Sequence, residues 1–314
     1  MAHQRRAADK RQLKNKVLIA GVAAGALFTV AALLFFAGTF HSAVARDGAP
    51  SWAPDSQTLI FTSEVDEGPS AMFTMQRDGS RRRRLGERRD RERNPAYSPD
   101  GTAVAFDSEA DGNSEIYVMN ADGSHVRRLT SNPAADMAPA WSSDGTRLAF
   151  MSDRGSRAGT DIYTMRADDG SQLVRVTNDQ TNWAPQYSPD GRQLAVQINR
   201  DVSVVDLSSG TRRRLTAEPL NGMNPTWSPD GQRIAFVTTR RAQAEIFTMA
   251  SDGSNQQLLV SMASGSVIDP RWSPDGRQIA FVLLPGQAVP GAKPERQAIY
   301  TIELASSRIT RLSP

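Results

Sequence analysis

Cysteine is absent from the 314-residue chain, so neither a disulfide framework nor a thiolate metal site can form. Histidine is almost absent. Only His3, His41 and His125 carry imidazoles, which leaves most acid–base and metal chemistry without its usual groups. Net charge is also small, and the formal +3 is misleading. Arg5, Arg6, Lys10, Arg11, Lys14 and Lys16 crowd the first sixteen residues. Without these six and Asp9, the 37 basic residues fall to 31 and the 34 acidic ones to 33, a net of −2. A body so near neutrality excludes a global nucleic-acid footprint. Long hydrophobic runs are missing too, with one exception.

That exception runs from Val17 to Phe40, "VLIAGVAAGALFTVAALLFFAGTF", without a charge. Twenty-four helical residues would span about 36 Å, enough for a ~30 Å hydrocarbon core. The basic segment 1–16 is expected to stay in the cytoplasm and send the remainder outward. A linker, 41–49, follows. Ala43 to Ala45, "AVA", suits a signal-peptide cleavage site, which is the competing reading. The run exceeds the ~7–15 residues of a typical signal h-region, and this length favours an uncleaved anchor. Both readings place the rest of the chain periplasmic or extracellular, secreted if cut after Ala45. Gly21 and Gly25 form a G-x-x-x-G pair that would let two such helices approach closely; a lipid-facing helix is the alternative.

The chain from residue 50 to 314 is periodic. "PSWAPDS", "PAYSPDG", "PAWSSDG", "PQYSPDG", "PTWSPDG" and "PRWSPDG" begin at Pro50, Pro95, Pro139, Pro185, Pro225 and Pro270. Successive prolines are 45, 44, 46, 40 and 45 residues apart. Each unit reads as four short strands: in the second, "AYS", "AVAF", "EIYVM" and "VRRLT", separated by turn residues. Pro99, Asp100 and Gly101 suit the successive positions of a tight corner. Four-stranded units at this period predict an all-β fold, a six-bladed β-propeller of antiparallel blades after one N-terminal transmembrane helix. The repeats open on an inner strand and close on an outer one. Blade 1 is therefore expected to pack on blade 6 through side chains, without a shared strand. Blade 1 has Ser56 in place of the turn glycine, and blade 3 has Ser143 in place of the proline.

The elements P-x-[WY]-S-P-D-G, [IL]-A-F, [DE]-I-[YF]-x-M and R-[RV]-[LV]-T resemble the WD-repeat-like units of the TolB-type six-bladed β-propeller, over essentially all of residues 50–314. The resemblance implies a periplasmic propeller. TolB-type proteins carry an α/β domain before the ring, where this sequence has its membrane segment.

In an antiparallel meander the "SPDG" and "ADGS" turns share one face, and the longer loops and blade connections share the other. The variable loops, among them 285–296, mark the second face for binding. Near its axial mouth stand Met137, Trp183, Met223 and Ile268, each two residues before a repeat proline, with Asp269 beside the last. Packing beneath the loops is the plain explanation. An apolar rim that receives a protein, anchored by Trp183, is the functional one. Residues 80–93, "SRRRRLGERRDRER", supply Arg88, Arg89, Arg91 and Arg93 as candidate contacts to an anionic partner, against a merely solvated connection. Arg127, Arg128, Arg212, Arg213 and Arg214 fit charges that guard exposed sheet edges. Asp107, Glu109 and Asp111 superficially resemble a calcium loop, but Val118 occupies the twelfth position.

No G-x-S-x-G elbow occurs, and no cofactor is expected. The predicted role is a membrane-anchored extracytoplasmic scaffold that binds an unidentified protein through the variable loop face. It is not expected to be an enzyme. The alternative is a channel-centred lyase, hydrolase or small-ligand binder acting on carbohydrate or peptide, which converging axial carboxylates would favour.

Overall fold

The structure, a computed structural model, describes residues 46–64, 68–86, 91–155, 159–217, 221–239, 243–263, 265–286 and 296–313. The 17–40 segment, Gly21, Gly25, Arg88, Arg89 and most of loop 285–296 lie outside the described residues. Among those described, no helix is long and apolar enough to cross a membrane.

Six four-stranded antiparallel sheets follow one another along the chain, each in simple meander order. The inner strands are Arg46–Trp52, Glu92–Tyr97, Asp136–Trp141, Asn182–Tyr187, Met223–Trp227 and Ser266–Trp272. Each packs against the next, and the last packs against the first, so they encircle a common axis. The second strands carry the "AF" element inward. Phe61, Phe106, Phe150, Phe236 and Phe281 are fully buried. Each faces an aromatic ring of the third strand (Phe73, Tyr117, Tyr163, Phe247, Tyr300) at centroid separations of 5.6 to 6.1 Å. Such pairs add roughly 0.5–1.5 kcal/mol beyond their buried area. Blade 4 has Val196 opposite Ser203 instead, and it turns between these strands on Asn199 and Arg200, both left-handed (φ 50° and 70°). Two left-handed central residues give the hairpin the twist its strands need.

The recurring corner has two functions. Within a blade, Ser98 Oγ donates to Asp100 Oδ1 at 2.6 Å, and the same carboxylate accepts the Thr102 amide at 3.0 Å. Between blades the corners stack. A methyl added at Gly101 would lie 3.4 Å from Pro54, and one at Gly276 would lie 3.3 Å from Pro229, so each glycine faces the previous blade's proline. At the sixth junction Ser56 takes the glycine's left-handed place (φ 55°), and its Oγ accepts the Asp275 amide at 3.0 Å. Ser56→Ala should therefore cost about 1 kcal/mol, the usual worth of one hydrogen bond. The check is a lower urea midpoint at an unchanged m-value.

The ring closes as the repeat order predicts. Among the described residues blades 1 and 6 share no strand; instead Trp52, Leu59 and Phe61 join one apolar cluster with Trp272, Ile279 and Phe281. Trp52 Nε1 donates to the Arg271 carbonyl at 3.1 Å, and Gln297 Nε2 donates to the Asp47 carbonyl at 3.0 Å.

The outer-strand arginines do more than guard edges. Arg128 pairs with buried Glu115 at 2.8 Å and Arg214 with Asp201 at 2.6 Å, each acid opening a third strand. Arg127 and Arg213 reach across to the next blade's turn, donating to the Ala167 carbonyl at 2.9 Å and the Asp252 carbonyl at 2.7 Å. Arg212 pairs with Asp179. The threonine of the same element accepts a third-strand amide: Thr130 Oγ1 from Ile116 and Thr216 Oγ1 from Val202, both at 2.9 Å. "R-x-L-T" thus fastens the outer strand to its own blade and to the following one.

Candidate functional site at the axial mouth

Each inner strand slips register once, at its repeat proline. The residue before that proline is left-handed in every blade: Ala49, Asn94, Ala138, Ala184, Asn224 and Asp269 have φ between 48° and 52°. Left-handed backbone costs a non-glycine residue roughly 1–2 kcal/mol. Six repetitions show that the bulge belongs to the design of the inner edge, where an extra residue bends the strand along the axis.

Side chains brace several bulges. Asn94 Nδ2 donates to Asp107 Oδ1 at 2.8 Å, and the same oxygen accepts the Ala138 amide of blade 3 at 3.0 Å. Asn224 Nδ2 donates to Asp269 Oδ1 at 2.7 Å, joining the bulges of blades 5 and 6. Both carboxyls are buried, and burial pushes each up to about 6. For Asp107 the Asn94 amide, the Ala138 N–H and Arg93 counteract that rise; for Asp269 the opposing group is Arg271. Burial likewise draws the Arg271 guanidinium down from its ordinary range, with Asp269 opposing.

The predicted rim residues assemble in pairs. Met137 and half-buried Trp183 pack on one cluster with Met151 and Ile198, whereas half-buried Met223 and Ile268 pack on another with Val237 and Val282. Met137 is 6% exposed, Ile268 9% and Asp269 4%, so solvent meets this rim chiefly at Trp183 and Met223. Blades 1 and 2 place Gly48 and Arg93 at the same station, opposite Thr62 and Asp107. The mouth is therefore apolar over four blades and polar over two.

Arg91 and Arg93 both pair with Glu109, at 3.2 and 2.8 Å. Two guanidinium groups thus share one carboxylate, and Arg93 also lies opposite Asp107. Asp107, Glu109 and Asp111 take separate partners, Asp111 pairing with Arg128 at 3.2 Å. Among the described residues no group of three His, Asp or Glu side chains could hold a metal ion.

Asp107, Asn94, Asn224 and Arg271 escape sequence reasoning that treats the repeat as a consensus. The missed signal is position-specific: aligned at their prolines, only one unit has a charged residue immediately after the proline, and only one has an acid immediately before it.

With this architecture in view, the comparisons with known proteins agree. The family model described as the TolB beta propeller domain matches residues 175–284, and the one described as the Tricorn protease N-terminal beta propeller domain matches 57–200. The structure of TolB from Acinetobacter baumannii is 26% identical at a TM-score of 0.64, covering 72% of this chain and 57% of that one. An oligogalacturonate lyase in complex with manganese is 15% identical at a TM-score of 0.60, covering 86% and 78% of the two chains. The tricorn protease is 15% identical at a TM-score of 0.62, covering 85% of this chain and 26% of its own. The last two likenesses concern the fold alone. The chain is a six-bladed β-propeller, and its residues 175–284 carry repeats like those of the TolB beta propeller domain. It spans little more than half the length of the TolB structure it matches.

Proposed function

We propose that this chain is a membrane-tethered, extracytoplasmic propeller whose loop face binds a protein partner at the axial mouth. The observation that carries this reading is the half-exposed pair Trp183 and Met223, held at equivalent stations of adjacent blades above closed cores. A large aromatic anchor beside a flexible thioether, rimmed by polar groups, is the composition of a protein-binding hot spot. The uncharged run 17–40 and its cationic flank support the tether. Support for binding over acid–base chemistry comes from Asp107 and Asp269, the raised carboxyls that brace the bulges. They belong to blades 2 and 6, and each already accepts a neighbouring amide.

The test is a cross-linking pull-down from native membranes with the full chain and with a Trp183→Ala, Met223→Ala variant of unchanged thermal stability. A defined protein captured by the parent and lost from the variant is the expected result. Equal capture by both would remove the rim from the interface, and no specific capture by either would overturn the reading.

A further inference from the structure

Arg271 has no counterpart elsewhere in the ring. The residues after the six repeat prolines pair in register with the second strand in the same way: Ser51 with Ile60, then Ala96, Ala140, Gln186, Thr226 and Arg271 with alanines 105, 149, 195, 235 and 280. They occupy one level of the inner wall, and five of the six are uncharged. The sixth carries a half-buried guanidinium whose Nη1 donates a 2.9 Å hydrogen bond to the carbonyl of its own neighbour, Pro270.

Three other half-buried arginines of the ring are neutralised, whereas Arg147 is held by the neutral oxygens of Gln172 and Thr164. Arg82 meets Asp47 at 2.7 Å, Arg128 meets Glu115 at 2.8 Å, and Arg154 meets Asp136 at 2.5 Å. Among the described residues no carboxylate lies within ion-pair distance of Arg271. Asp269, two residues earlier, acts on it through space, while its Oδ1 accepts the Asn224 amide. A guanidinium offers five donors in a planar fork that matches a carboxylate, and an uncompensated buried charge is costly. The wall around it is small and neutral, with Ser51 and Thr226 in the two flanking blades.

We propose that Arg271 is a carboxylate receptor in the axial channel, engaging an acidic group of the polypeptide that enters the mouth. This rests on the proposed protein-binding role and adds to it the chemistry of the partner. The carboxylate is either an acidic side chain or a C-terminus.

The full chain in detergent, labelled with ¹⁵N-arginine and ¹⁵N-tryptophan, provides the test. The Nε–H resonance of Arg271 is assigned by its disappearance in Arg271→Gln. It is then followed against three capped peptides: acetyl-Gly-Glu-Gly-amide, acetyl-Gly-Gly-Gly with a free C-terminal carboxylate, and acetyl-Gly-Gln-Gly-amide. A saturable shift with the first or second, and none with the third, is expected, and whichever responds identifies the source of the carboxylate. In Arg271→Gln the Trp52 indole N–H, which donates to the residue 271 carbonyl, reports the same titration, with affinity weakened about tenfold or more. No saturable shift, or an equal response to the glutamine peptide, would overturn the proposal. Failure here with partner capture intact in the membrane pull-down would remove the Arg271 site alone and leave the binding role standing.

Discussion

A Trp52→Ala variant is expected to unfold on the order of 10 °C below the parent and to lose protection first in blades 1 and 6. Trp52 is 6% exposed, and it both packs into the cluster that spans these blades and donates to the Arg271 carbonyl. Truncating a buried tryptophan costs about 3–5 kcal/mol, and a domain of this size loses roughly 2–4 °C per kcal/mol. Trp141 makes the same bond two interfaces further round, to the Ala96 carbonyl at 3.0 Å. The two sites differ in connectivity. Blades 2 and 3 are joined by chain, so opening there is opposed by a short tether as well as by packing. Among the described residues blades 6 and 1 are held by packing and hydrogen bonds, and a separated pair regains contact only by closing the whole ring. Hydrogen exchange by mass spectrometry on Trp52→Ala and Trp141→Ala decides the matter. Accelerated exchange in the inner strands of blades 1 and 6 for the first variant, and in blades 2 and 3 for the second, fits a ring closed by side chains. Uniform acceleration in both would mean the junction is no weaker than the rest.

The architecture is legible in the sequence because each blade must solve the same local problem. Pro99, Asp100 and Gly101 recur since a tight corner needs a preset φ, a carboxylate to accept amides and a residue tolerant of left-handed backbone. Phe106 and Tyr117 recur since a sheet packed face to face needs a filled centre. Even the departure at Ser56 has a structural reason, because that blade's corner meets the last one and takes up its amide. The mouth was less legible. Trp183 and Met223 are visible as apolar residues at the correct offset, but their exposure depends on loops that share no pattern. Asp107 was read as part of a superficial calcium loop, yet its carboxyl turns inward to brace the next blade's bulge. The bulge is hidden in sequence, since left-handed backbone is normally sought at glycine and here falls on alanine, asparagine and aspartate. The outer arginines read in sequence as charges that guard sheet edges, and their particular partners appear only in the fold. What a repeat conceals is the single deviation at a shared station, and Asp269 and Arg271 are both of that kind.

Those deviations give the protein an unusual expected response to pH. Asp107 and Asp269 titrate near 6 when folded, against an ordinary value of 3.8. A carboxyl whose folded value is raised binds its proton more tightly in the native state. Its contribution to stability is therefore fully present below the unfolded value and is lost as pH rises through about 6. A shift of this size corresponds to about 3 kcal/mol for each group at neutral pH. Asp136, also raised by burial, acts in the same direction. The corner aspartates oppose them. Asp100, Asp144, Asp190 and Asp230 are held below the ordinary value, first by the serine hydroxyl of their own turn, so their contribution is present above pH 4 and lost as pH falls further. Stability should thus peak near pH 4, at the unfolded carboxyl value, and decline toward pH 7. An Asp107→Asn, Asp269→Asn variant keeps an Oδ1 acceptor for Asn94, Ala138 and Asn224 while removing both buried charges. Thermal melts should place it well above the parent at pH 7.5, by on the order of 10 °C, with the gap closing as pH falls below the unfolded value of 3.8. A variant that is less stable than the parent at pH 7.5 would mean that the two carboxylates are ionised by design, bound by groups stronger than the neighbouring amides and Arg271.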